Sequence, residues 1–180
     1  ISVGFPPLAA AVIALQYNSI PVPYGAAGTP TNTAYITVQQ SLTSLADPDS
    51  WRMALTQWTA IPLAILTPVI LFIGVATLCK VFGKNRSFRD AVAVIPFILY
   101  VTVVFDVLYI LIACTVGPEL TSLLAAVITL FIVMATTKKG FLVPKTTWTF
   151  DEKSKWDKSW LNLTAVPEPK TSNMSLLKAW

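Results

Sequence analysis

Of 180 residues, 54% are hydrophobic and 12% charged, with a mean hydropathy of +0.65, where soluble domains carry roughly 25% charged residues; this is the composition of a membrane protein. The absence of histidine removes imidazole bases, Ser/His/Asp and Cys/His sites and the commonest metal ligand, and Cys79 and Cys114 stand apart in apolar runs as packing residues, so neither metal nor cofactor is expected. The net charge of +4 gathers beside apolar spans instead of forming an aromatic-interleaved patch, which gives it a topological role, with the lipid bilayer as partner and no nucleic acid.

In chain order, the first unit is a broken segment over residues 4–45. The chain opens at Ile1 with no basic leader and cleavage site and reads as an internal piece of a longer protein. Residues 6–17 predict a helix of about 12 residues, too short alone to cross a hydrocarbon core of roughly 30 Å. It runs into YNSIPVPYGAAGTPT, residues 17–31. There Pro21 and Pro23 remove two amide donors, Ile20 and Val22 are pushed to extended geometry by the prolines that follow, and Gly25 and Gly28 admit positive φ. The helix must unwind, and Thr29 as N-cap with Pro30 at the first helical position restarts it.

Three apolar spans follow, over residues 58–80, 91–116 and 121–137, the first interrupted by Pro62 and Pro68, which membrane helices tolerate. Lys80, Lys84, Arg86 and Arg89 follow the first span, and Lys138 and Lys139 close the third, which places both clusters on the cytoplasmic side. GPEL at 117–120 is a turn that makes the last two spans a helical hairpin on the other side. Residues 140–175 then form a cytoplasmic linker in which tryptophans alternate with charges, as interfacial anchors or a short amphipathic helix lying on the membrane. Residues 176–180 open a further transmembrane helix. The glycosylation patterns at Asn162 and Asn173 fall on the cytoplasmic side and carry no role. The fold class is therefore an all-α, polytopic transmembrane helix bundle fragment with a discontinuous helix.

An unwound backbone in lipid is tolerated only where it is buried in protein or lines a watery cavity. If the break is such a segment, the restarting helix aims amides near Thr31 and Asn32 and its positive dipole end into that cavity, a site for an anion. Asn18, Ser19, Thr29, Thr31 and Asn32 add uncharged polar groups. The alternative is a plain extramembrane turn. GAAG as a nucleotide loop is disfavoured, because no Lys-Ser/Thr pair follows and no strand precedes.

The stretch NSIPVPYGAAGTP resembles the signature of the lactate permease family, on Gly4-Phe5, Pro7-Leu8, Asn18, Pro21-Val22, Gly25-Ala26, Gly28 and Pro30. The similarity continues through GPEL and to LLKAW at 176–180. The resemblance implies a multi-pass carrier of the bacterial cell inner (plasma) membrane that takes up lactate, a small 2-hydroxy carboxylate, by proton symport, together with the rest of a longer transporter chain. The substrate-binding residues expected on this reading are Asn18, Ser19, Gly25, Gly28, Thr29, Pro30 and Thr31. Asp106 lies outside the family pattern. As the ionisable residue deep within an apolar run, it is either a proton relay or a structural partner of a hydroxyl or a neighbouring helix. An anion channel, or a membrane-embedded enzyme or assembly subunit in which the break is only a turn, are the other readings; a carrier, and no enzyme, is the expectation.

Overall fold

A computed structural model of the chain describes residues 4–41, 47–144 and 148–161. The helices are α1 (Pro7–Asn18), α2 (Gly25–Ser41), α3 (Pro48–Thr77), α4 (Phe88–Val92), α5 (Ile95–Thr115), α6 (Thr121–Lys138) and α7 (Lys158–Leu161). Among the described residues the only extended pairing is an isolated antiparallel bridge between Gly83 and Phe150. The chain is an all-α membrane protein, and among the described residues three helices are long and apolar enough to span: Pro48–Phe82, Ile95–Thr115 and Thr121–Lys138.

Two of these differ in extent from their apolar runs. The first begins ten residues before Trp58, because Asp47 caps it, its carboxylate accepting the amides of Asp49 (3.2 Å) and Ser50 (3.3 Å) with Pro48 in the first turn; an N-cap and a well-placed proline nucleate helix outside the apolar window. It carries Pro62 and Pro68 inside and closes in a π-helical turn, Leu78–Phe82. The run that starts at 91 is divided: Ser87 Oγ accepts the Arg89 amide at 3.2 Å to start α4, and α5 begins separately at Ile95 with a proline in its first turn. Gly117, at φ +107°, makes the turn into α6, where the Thr121 hydroxyl donates to Gly117 O at 2.7 Å.

α3 packs along α5, and α5 along α6, with α1 and α2 against α3. Ala60, Ala113 and Ala125 have no exposed surface, and such small side chains let membrane helices approach closely. Tyr24, Tyr109 and Ile112 fill the cluster they form. Among the described residues the buried polar side chains are all threonines; several close back onto their own helix, as Thr56 does to Arg52 O and Thr67 to Leu63 O, which hides a hydroxyl in apolar surroundings. Outward-facing Trp58, Ile65, Val103, Leu123 and Phe131 are exposed, the expected surface for lipid or for neighbouring helices.

As far as it is described, the linker packs its aromatic rings on one another and on the start and the π-helical turn of the bundle. Phe150 meets Phe5 (4.8 Å between centroids) and Trp148 (4.7 Å), Trp160 meets Phe82 (5.0 Å), and Trp156 donates its indole N–H to Asp151 O at 2.8 Å. The rings expected as interfacial anchors are thus applied to the protein's own end, beneath the π-helical turn. The further helix expected at 176–180 and the patterns at Asn162 and Asn173 lie outside the described residues.

Candidate functional site

The break is real and its handedness reverses. After Asn18 the chain makes a tight turn, the Ser19 and Ile20 amides donating back to Gln16 O (3.3 Å) and Tyr17 O (3.4 Å), and then one 3-10 turn over Val22–Tyr24. Ala26, Ala27 and Gly28 follow at φ 46°, 54° and 74°, three consecutive left-handed residues, before right-handed helix resumes. Left-handed backbone costs L-residues roughly 1–2 kcal/mol each, so two alanines hold this conformation only because tertiary contacts impose it.

Those contacts come from three helices. Tyr24 is buried, its hydroxyl donating to Thr56 O of α3 while its own carbonyl accepts from Ser122 Oγ of α6 at 3.2 Å; its ring stands edge-on to Tyr109 of α5 at 5.3 Å. Gly28 is pressed onto the turn at 117–120: a Cβ there would lie 2.6 Å from Pro118 O and 2.9 Å from the Glu119 amide. The two stretches that carry the sequence resemblance therefore meet. Tyr17 donates to Leu71 O at 3.1 Å, a carbonyl about 22 Å farther along α3 than Thr56 at 1.5 Å per residue. The break thus reaches from the middle of the bundle to the end where α5 turns into α6.

The expected site residues are spread along the break, Gly25 alone among them lining the cavity beside the left-handed turn, and their hydroxyls are already engaged. Ser19 donates to Gln16 O (2.6 Å), Thr29 to Ala26 O (2.5 Å) and Thr31 to Pro23 O (2.6 Å). Thr29 thus ties down the left-handed turn by donating to a carbonyl, in place of the amide-accepting N-cap bond expected of it. Gly28 and Thr31 are buried; Asn18, Ser19, Thr29 and Pro30 are exposed. Gly25, Ala26 and Ala27 line a cavity of about 340 Å³ whose far wall includes Glu119 and Ser122.

Sequence reasoning missed the charged latch beside it. Glu119 is paired with Arg52, whose Nε donates to Asn32 Oδ1 at 3.1 Å, while Asn32 Nδ2 donates to Glu119 Oε1 at 3.1 Å. α2, α3 and the 117–120 turn are closed into one ring of contacts. Partial burial pushes the Glu119 carboxyl up, but its own backbone amide, Asn32 and Arg52 together outweigh this and hold it below its ordinary value. Nothing local marks a pair 67 residues apart; Glu119 alone reads as a charge at a helix start.

Asp106 lies on α5 one turn from Tyr109, with Thr67 of α3 as its polar neighbour. Its Oδ1 is buried with no partner, as is the Tyr109 hydroxyl. Since Tyr109 also meets Tyr24, one ring separates this carboxyl from the break.

A family model described as L-lactate permease matches residues 1–180. No curated protein and no solved structure matches. The chain belongs to the L-lactate permease family, which is a family of lactate transporters and not of enzymes.

Proposed function

We propose that this member of the family takes up lactate and related 2-hydroxy monocarboxylates by proton symport across a bacterial inner membrane, and that its break, residues 18–31, contributes the substrate site. The observation that supports this is the left-handed turn Ala26–Ala27–Gly28 held against the 117–120 turn beside a cavity. Strained backbone of this kind persists only where its surroundings over-determine it, and it concentrates at functional sites. With the hydroxyls of Ser19, Thr29 and Thr31 donating to main-chain carbonyls, the carboxylate is met by main-chain amides of the left-handed turn Ala26–Ala27–Gly28, beside the cavity that Gly25 also lines. The hydroxyls serve by fixing that turn.

The proton is assigned to Asp106. A charged carboxylate at the bilayer centre costs roughly 2.5–3.5 kcal/mol on insertion scales, and a group one aromatic ring away from the break is placed to couple its proton to the occupancy of the site. Alternating exposure then follows from movement of helices about the broken segment. The test is uptake of labelled lactate by vesicles containing the full-length parent transporter. Saturable uptake driven by an inward proton gradient is expected; non-saturating conductance, or uptake indifferent to the gradient, would overturn the reading.

A further inference from the structure

A second cavity, of about 380 Å³, lies behind the break between α1, α3, α5 and α6. Its walls are apolar, among them Leu71, Val101, Phe105 and Leu130. Pro21 and Ser122 line this cavity and also the smaller one beside the left-handed turn, so the two spaces share a wall made by the break itself. Five hydroxyl residues reach the larger space. Tyr17, Thr67, Thr102 and Ser122 donate to Leu71 O, Leu63 O, Leu99 O and Tyr24 O. Thr129 is 7% exposed and its Oγ1 is buried without a partner. A buried hydroxyl left unpaired is costly unless a ligand or water completes it.

We propose that the two cavities act as one cleft for an amphipathic acid: the carboxylate lies at the break, and the hydrocarbon tail passes Pro21 and Ser122 into the apolar cavity. This rests on the function proposed above and adds a specificity to it. Pockets of 300–1,000 Å³ accommodate drug-sized ligands, so the cavity has far more room than the methyl group of lactate uses. The preferred class is therefore wider than lactate and extends to 2-hydroxy acids with longer unbranched tails. Phe105 and Leu130 are the surfaces that such tails cover.

The experiment uses the full-length parent transporter in liposomes under an inward proton gradient, with labelled lactate competed by unlabelled 2-hydroxy acids from lactate to 2-hydroxyhexanoate. Each added methylene should lower the half-inhibitory concentration roughly fourfold over the first two or three, the gain for burying one CH₂. Ala126→Phe, which places a ring in the cavity from an exposed position on its wall, should flatten that series. Saturable lactate uptake with a flat series in the unaltered protein would mean that lipid or another segment fills the cavity, and would overturn this inference alone. Absence of saturable, gradient-driven uptake would instead overturn the function on which it rests.

Discussion

Gly28→Ala is the sharpest perturbation of the break. The residue sits at φ +74°, and the new methyl would fall 2.6 Å from Pro118 O, 2.7 Å from Pro118 C and 2.9 Å from the Glu119 amide, all backbone atoms that cannot swing aside. A left-handed L-residue costs roughly 1–2 kcal/mol, and forcing a methyl into filled space typically costs a further 1–3 kcal/mol, so the substitution should destabilise the closed break by about 2–5 kcal/mol. That is enough to separate α2 from the 117–120 turn in most molecules. Ala26→Gly is the matched control. It removes the left-handed cost of roughly 1–2 kcal/mol but adds roughly 0.5–1 kcal/mol of unfolded-state entropy, leaving a net effect between zero and about 1.5 kcal/mol of stabilisation. Thermal unfolding of the purified full-length transporter, read beside initial rates of lactate uptake, should show Gly28→Ala lowered in both and Ala26→Gly at least as stable as the parent. A Gly28→Ala protein with unchanged midpoint and uptake would show that the turn does not press on Pro118, and the site would lose its frame.

Other outcomes follow from neighbouring contacts. A double-mutant cycle on Arg52→Ala and Glu119→Ala should give a coupling of about 0.2–1 kcal/mol, because both side chains are a third or more exposed and water screens them. Because the Glu119 carboxyl is held below its ordinary value, this coupling should be fully present at neutral pH, above the unfolded-state value, and be lost as pH falls through the lowered folded-state value; melting curves across acid pH would record it, and a coupling that grew on acidification would refute it. Asp106→Asn should leave the protein inserted but make uptake indifferent to an imposed pH gradient; retained gradient dependence in vesicles would remove Asp106 from the proton path. Gly74→Ala places a methyl 2.3 Å from the Tyr17 ring, so it should displace that ring from Leu71 O and destabilise by roughly 1–3 kcal/mol, measurable as a lowered midpoint that Tyr17→Ala partly relieves by making room.

The spans were legible because apolar length is a property of single segments, and the break because Pro21, Pro23, Gly25 and Gly28 act on their own backbone. The left-handed pair Ala26 and Ala27 was not legible: alanine is the strongest helix former, and only the packing of Tyr24 and Gly28 against other helices turns it the other way. The latch was hidden for the same reason, since Arg52, Asn32 and Glu119 meet through folding and not through spacing. The early start of α3 was available in Asp47-Pro48, a cap-and-proline pair that hydropathy ignores. In the linker, the aromatic residues gave no sign of whether lipid or protein would cover them.

The aromatic knot of Phe5, Phe82, Trp148, Phe150 and Trp160 fastens the beginning of α1 at one mouth of the bundle, while Gly28 and the Arg52–Glu119 pair fasten the beginning of α2 at the other. A strand tethered at both ends transmits any change in the gap between its moorings to its softest link. Here Tyr24, held by Thr56, Ser122 and Tyr109, is a third mooring between them, so relative travel of the two mouths would fall on the few residues to either side of it, beside the cavities.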